Sequence, residues 1–382
     1  MWIYKKDSKM KLFKERVAKL SPVFFHLSRI SLGLLFVFSG FVKAIDPLGS
    51  TYKFEDYFSA FGGFFNSLSF IALPAAIFLS TLELIIGLNL LLMIQLRRSS
   101  WLAAAFMLFM TPLTLYVALF NPVTDCGCFG DAWVLTNWQT FYKNIIFSFL
   151  VVVLIYTLDK KKRIFLPKVE WLAIAAFVLT VVGLSLYCLR HEAPLDFRPY
   201  KIGVNIPEAM LVPEDAATDV YNTTFIYEKN GVQKEFTLEN YPKGDSTWKF
   251  VDQKTVLVSQ GYKAPIHDFS IVDANFEDIT EQVIYNQGET YLLIMYDVNK
   301  ASEEGAKRAE TLYQKYKNST TKFYALTASG DDEVNAFVAK TGVTYPFCKT
   351  DPITLKTIIR SNPGLMLIKN GTITGKWHWR DF

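Results

Sequence analysis

The sequence predicts a multi-domain chain: a polytopic α-helical membrane bundle, a β-rich segment, and then an external α/β domain. Three observations carry this. Five apolar runs each approach the ~20 residues needed to cross ~30 Å of hydrocarbon. After Leu189 the chain turns abruptly polar and proline-rich. From Tyr291 onward, short buried-type strands alternate with amphipathic helices. A chain of 382 residues that is 51% hydrophobic, with mean hydropathy +0.19, is too apolar for an ordinary soluble protein and too long for one small domain.

The order of elements follows from these signals. Residues 1–22 form a basic segment carrying Lys5, Lys6, Lys9, Lys11, Lys14, Arg16 and Lys19. No small-residue cleavage site follows, so the first apolar run, 23–42, reads as a retained span rather than a removed leader. Further spans are expected at 70–94, 101–120 and 141–158, which makes a four-helix unit over 23–160, and a fifth at 171–189 within 161–189. The basic N-terminus, Arg97 and Arg98, and the cluster Lys160, Lys161, Lys162 and Arg163 fall on one side, which the positive-inside rule makes cytoplasmic. The expected location is a bacterial inner membrane, with the C-terminal part in the periplasm. Cys126, Cys128, Cys188 and Cys348 then all lie on or at the edge of the non-cytoplasmic side, where disulfides persist.

The first external loop, 43–69, is rich in aromatic residues, starts at Asp46-Pro47 and is broken by Gly62-Gly63. It reads as an interfacial helix over the bundle mouth. Residues 190–270 read as a linker followed by strands, with a hairpin turn at Lys229-Asn230-Gly231. Residues 271–382 carry the βαβα order and end in a second hairpin around Asn370-Gly371.

The chemistry concentrates in Asp125-Cys126-Gly127-Cys128-Phe129-Gly130-Asp131. Glycine lets so small a Cys-Gly-Cys ring close, and strained disulfides are the exchange-active ones. Asp125 and Asp131 are expected to raise the thiol pKa values, with Lys43 or the N-terminus of the fourth helix compensating. Lys43 also reads as a snorkelling anchor. Glu83 and Arg29 lie at matching depths, ~20 Å from the outer ends of their helices at 1.5 Å per residue, and are expected to pair inside the bundle. Cys348 and Cys188 are candidates for an interdomain disulfide or a relay to Cys126 and Cys128. No histidine lies at ligand spacing, so no metal is expected. No basic cluster interleaves with aromatics outside the membrane, so nucleic acid is not an expected partner.

Two resemblances add to this. The segment with Arg29-Ile-x-Leu-Gly33, Ser39-Gly-Phe-Val-Lys43, Glu83-x-x-x-Gly87 and Cys126-Gly-Cys-Phe-Gly130 resembles the DoxX/MauE-like family, four-helix membrane proteins associated with redox work. The MauE-like branch implies maturation of a disulfide-rich periplasmic enzyme subunit, and the DoxX branch implies thiosulfate and quinone chemistry. The order of elements after Tyr291 resembles a thioredoxin-like fold of the peroxiredoxin or TlpA type, and Pro363 stands where that fold places its cis-proline. Where thioredoxins carry Cys-x-x-Cys, this chain reads Asp297-Val-Asn-Lys300.

The expected activity is therefore that of a thiol–disulfide oxidoreductase or redox-maturation protein working at Cys126 and Cys128, with a quinone as the candidate cofactor. Membrane lipid and a periplasmic client protein are the expected partners. The alternative is a non-catalytic assembly factor whose thioredoxin-like domain binds the client and whose Cys126 and Cys128 only staple the loop.

Overall fold

A computed structural model describes residues 2–158, 164–218, 220–259 and 261–382, with side chains from residue 22 onward except those of 256, 257 and 259. The side chains of the basic N-terminal segment, and the cluster Lys160, Lys161, Lys162 and Arg163, lie outside what is described.

All five expected spans are helices: α1 (Trp2–Ile45), α3 (Ala72–Leu92), α4 (Leu96–Phe120), α5 (Asn137–Tyr156) and α6 (Pro167–Cys188), with α2 (Pro47–Phe61) between the first two. Each of the five contains a stretch long and apolar enough to cross a membrane, which makes this a multi-pass membrane protein. α1 and α3 run antiparallel in close contact because their facing positions are glycine. A Cβ on Gly40 would stand 2.6 Å from Leu84 N, and one on Gly87 would stand 2.5 Å from Val37 N. Small residues let backbones approach in lipid, where apolar burial between helices gives little driving force. Phe25, Leu32, Phe36, Ile86, Leu90, Met107 and Leu154 then fill the space between α1, α3, α4 and α5. α6 joins through Val181 and through Ser185 Oγ, which donates to Ala44 O at 3.0 Å.

Outside the bundle come α7 (Ile206–Met210), β1 (Val220–Lys229), β2 (Val232–Thr237), β3 (Lys249–Ser259), α8 (Thr280–Ile284), β4 (Glu289–Ile294), α9 (Glu303–Tyr316), β5 (Lys322–Thr327), α10 (Asp331–Thr341), β6 (Phe347–Lys349), α11 (Pro352–Ile358), β7 (Gly364–Lys369) and β8 (Thr372–His378). Strands β4 to β8 form one sheet in the order β6-β5-β4-β7-β8, parallel across β4, β5 and β6 and antiparallel across β4, β7 and β8. This is the thioredoxin-like arrangement, with the Asn362–Pro363 bond cis.

The boundary expected near residue 270 cuts through this domain's core. Tyr200, Ile206, Ile266 and Phe269 pack in the same cluster as Leu292, Ile294 and Met366, and Ile373 N donates to Val204 O at 2.9 Å. The antiparallel sheet β2-β1-β3 is therefore an insertion. Its two ends meet where Tyr262 N donates to Ala217 O at 2.7 Å.

Candidate functional site: a sulfur pair under a short helix

The loop between α4 and α5 brings Cys126 Sγ and Cys128 Sγ to 2.9 Å, both as free thiols. Gly127 takes φ +67°, a conformation that side-chain-bearing residues rarely adopt, and this turns the two sulfurs toward each other. The loop is anchored on three sides. Gly127 N donates to Asp125 Oδ1 at 2.8 Å, and Ser39 Oγ of α1 donates to Cys128 O at 2.7 Å. On the third side α5 begins at Asn137, with Thr136 as N-cap and Gln139 closing a capping box. Cys126 is only 8% exposed, and Cys128 is half-buried.

The charges around the sulfurs differ from expectation. Lys43 does not meet Asp125; its ammonium donates to both carboxylate oxygens of Glu83, at 2.9 and 2.8 Å, and to Ser39 Oγ at 2.7 Å. The expected Glu83–Arg29 pair is not formed. Arg29 Nη1 donates to Leu90 O and Leu91 O, each at 2.6 Å, and so caps the C-terminal end of α3. The register explains the error. α3 runs past the end of α1 at the outer side, so counting inward from both ends compared different heights. Side chains also lean toward their own helix N-terminus, so in this antiparallel pair Lys43 and Glu83 lean toward each other.

Asp125 and Asp131 do not stand bare beside the thiols either. Lys53 of α2 holds Asp125 at 2.7 Å, and Arg360 of the thioredoxin-like domain holds Asp131 at 3.0 Å. The hydrogen bond from Cys126 holds Cys128 below the ordinary thiol range against the cost of burial, with the cations Lys143 and Lys43 helping. Cys126 is pushed up by the same hydrogen bond and by burial. The pair is thus polarised, with Cys128 the better thiolate. Lys143 also sits 4.2 Å from the centre of the Phe129 ring.

Sequence reasoning missed α2 as part of the site. Lys53 and Tyr57, four residues apart and so on one helix face, both turn to the Cys-Gly-Cys loop. The Lys53 stem crosses Gly127, where an added Cβ would stand 2.9 Å from Lys53 Cγ. The Tyr57 hydroxyl is buried against Cys126, and burial first, then Cys126, pushes its pKa up. On the other face of α2, Arg360 and Lys356 lie over the Tyr52 ring at 5.6 and 4.8 Å. Arg360 also binds the α2 N-cap, Asp46, at 2.7 Å. The i,i+4 spacing of Lys53 and Tyr57 was the one available signal; Arg360 gave none.

Cys348 and Cys188 are not brought to the pair. Cys348 lies on β6 in the domain core, where burial pushes its thiol up to about 11. Cys188 is buried at the end of α6, in the wall of an ~800 Å³ cleft between the bundle and the external domain that also reaches Gly127 and Lys53. A quinone finds no seat at the sulfurs. The void lined by Cys126, Cys128, Phe129, Trp133 and Thr140 measures about 10 Å³, room for one water at most.

Residues 21–157 match the family of methylamine utilisation protein MauE, and residues 221–260, the inserted sheet, match a domain of unknown function (DUF8463). Curated proteins return no match. Among solved structures, a candidate protein disulfide isomerase from Bacteroides thetaiotaomicron is similar at 19% identity and TM-score 0.24, covering 29% of this chain and 75% of that one. A thiol:disulfide interchange protein of the thioredoxin family from Chlorobium tepidum TLS is similar at 12% identity and TM-score 0.23, covering 30% of this chain and 88% of that one. The chain carries a MauE-like membrane domain followed by a thioredoxin-like domain that holds no Cys-x-x-Cys.

Proposed function

We propose that this protein is a thiol–disulfide oxidoreductase of the bacterial inner membrane, working on a periplasmic client protein through Cys126 and Cys128. The observation that carries the reading is the contact of two free thiols at 2.9 Å with their acidities set apart. In the oxidised form, a client thiolate attacks Cys126 Sγ and forms a mixed disulfide. The Cys126–Cys128 bond breaks, and Cys128 leaves as the thiolate that Lys143 and Lys43 favour. A second client thiolate then attacks the client sulfur of the mixed disulfide, and Cys126 leaves. The client gains a disulfide, the pair becomes a dithiol, and two electrons pass between them. The reverse exchange with a more oxidising disulfide resets the pair. No step is assigned to a quinone, because the sulfur void does not fit one. The external domain, lacking cysteines at its redox position, serves as a cover and client-facing surface.

The test is substitution of each cysteine in the full chain. Cys128→Ser is expected to accumulate a client mixed disulfide at Cys126, and Cys126→Ser is expected not to. If neither traps a partner and both retain function, the reading fails and the non-catalytic assembly factor takes its place.

A further inference from the structure

The sulfur attacked in this scheme is the covered one. Cys126 is 8% exposed, the void on one side of the pair holds one water at most, and Tyr57 and Lys53 of α2 close the other side. A client thiol has no path to Cys126 unless α2 moves. Both ends of α2 are points where it can turn. Gly62 and Gly63 follow it with φ of +62° and +53° and nothing packed within 4 Å of where a Cβ would be. Asp46 is the single residue between α1 and α2. That second corner is pinned from outside, because Arg360 binds Asp46 and Asp131 together and lies over Tyr52.

We infer that α2 is a lid over Cys126 and that the thioredoxin-like domain latches it through Arg360, so that the client thiol reaches the sulfur only when the domain lets the helix go. This rests on the exchange reading above. It gives the external domain a role that needs no cysteine of its own. The latch residue lies beside the Asn362–Pro363 loop of that domain, and Tyr296, at the end of β4, donates to Arg360 O at 3.4 Å. Movement of that loop, by a client or otherwise, is therefore coupled to the corner of α2.

The experiment is a maleimide pulse on the reduced full-length protein in lipid nanodiscs, read cysteine by cysteine by mass spectrometry. Cys348, deep in the external core, reports unfolding, so the reading is the ratio of labelling at Cys126 to that at Cys348. Arg360→Ala releases the outer side of the lid and Lys53→Ala the inner side. Each is expected to raise the ratio on the order of tenfold, as release of a local closing contact would. Electrostatics works against this result: removing a cation near a thiol lowers its reactivity, so a rise reports access. An unchanged ratio in Arg360→Ala overturns the latch, and an unchanged ratio in Lys53→Ala overturns the lid. Labelling requires no exchange activity, so its failure leaves the mixed-disulfide test standing, and the converse holds.

Discussion

At the scale of single residues, Lys43 and Glu83 form a buried charge couple linked through Ser39 to the Cys128 carbonyl. Removing one partner leaves the other buried and uncompensated, a loss of about 3–5 kcal/mol, whereas removing both with apolar residues of similar size costs far less. Lys43→Met is therefore expected to lower the thermal unfolding temperature in detergent strongly, and the Lys43→Met/Glu83→Met double variant to recover most of it. Lys43→Met is also expected to shift the thiolate absorbance of Cys128 to higher pH, and the double variant to shift it less, because Glu83 acts on Cys128 in the opposite sense to Lys43. Equal melting of the single and double variants would remove the couple from the account. Cysteine chemistry was legible in the sequence because the residue types and their one-glycine spacing carry it. The pairing of Glu83 was not, because it depends on the relative height of two helices, and no local pattern encodes that height. Lys53 and Arg360 escaped for a related reason: each acts across 72 or more residues of chain.

At the scale of elements, the α1–α3 contact sets that height. Gly40 faces backbone, with Leu84 N 2.6 Å and Ser80 O 2.7 Å from an added Cβ, whereas Gly33 faces chiefly the Leu91 side chain at 2.7 Å. Backbone cannot yield and a leucine side chain can rotate away. Gly40→Ala is therefore expected to cost about 1–3 kcal/mol as overpacking, and Gly33→Ala clearly less, when the two are compared by thermal unfolding in one detergent. A Gly33→Ala loss equal to that of Gly40→Ala would contradict the close-contact geometry. Helices were the most readable elements here, since the length of an apolar run answers to bilayer thickness. The start of α2 was also readable, from Asp46-Pro47, as was its end at Gly62. The face it buries was not: aromatic residues in a membrane loop signal headgroup anchoring as readily as packing, and Tyr52 and Tyr57 do the latter.

At the scale of the whole molecule, the interdomain contact turns on two aspartates with opposite shifts. Burial would raise Asp46, but the charge and hydrogen bonds of Arg360 hold it below the ordinary carboxylate range. Asp131 is raised, by burial first, with Arg360 only partly offsetting it. A depressed carboxylate stabilises the docked state above its undocked pKa and loses that contribution only as pH falls through the depressed value. A raised one opposes docking while charged and stops doing so once protonated. As pH falls, Asp131 protonates first and docking persists through Asp46; the contact opens only in strong acid. Cys126 in Asp46→Asn is thus expected to be open to labelling already at neutral pH, after correction for thiolate fraction, while Asp131→Asn stays closed. The opposite order would reverse the assignment of the latch to Asp46. The thioredoxin-like order of strands was legible from the βαβα pattern, but the domain's true start near Tyr200 was hidden by the intervening sheet.

That inserted sheet has its own consequence. Its entry and exit run side by side, because β1 pairs with β3 and Tyr262 N donates to Ala217 O, so to the rest of the fold the sheet behaves as a cassette on a closed stem. A cassette of this kind can be lengthened, trimmed or exchanged without altering the register of β4 to β8 or the position of Arg360. The part of the molecule free to diversify is thereby separated from the part that must hold two sulfurs 2.9 Å apart.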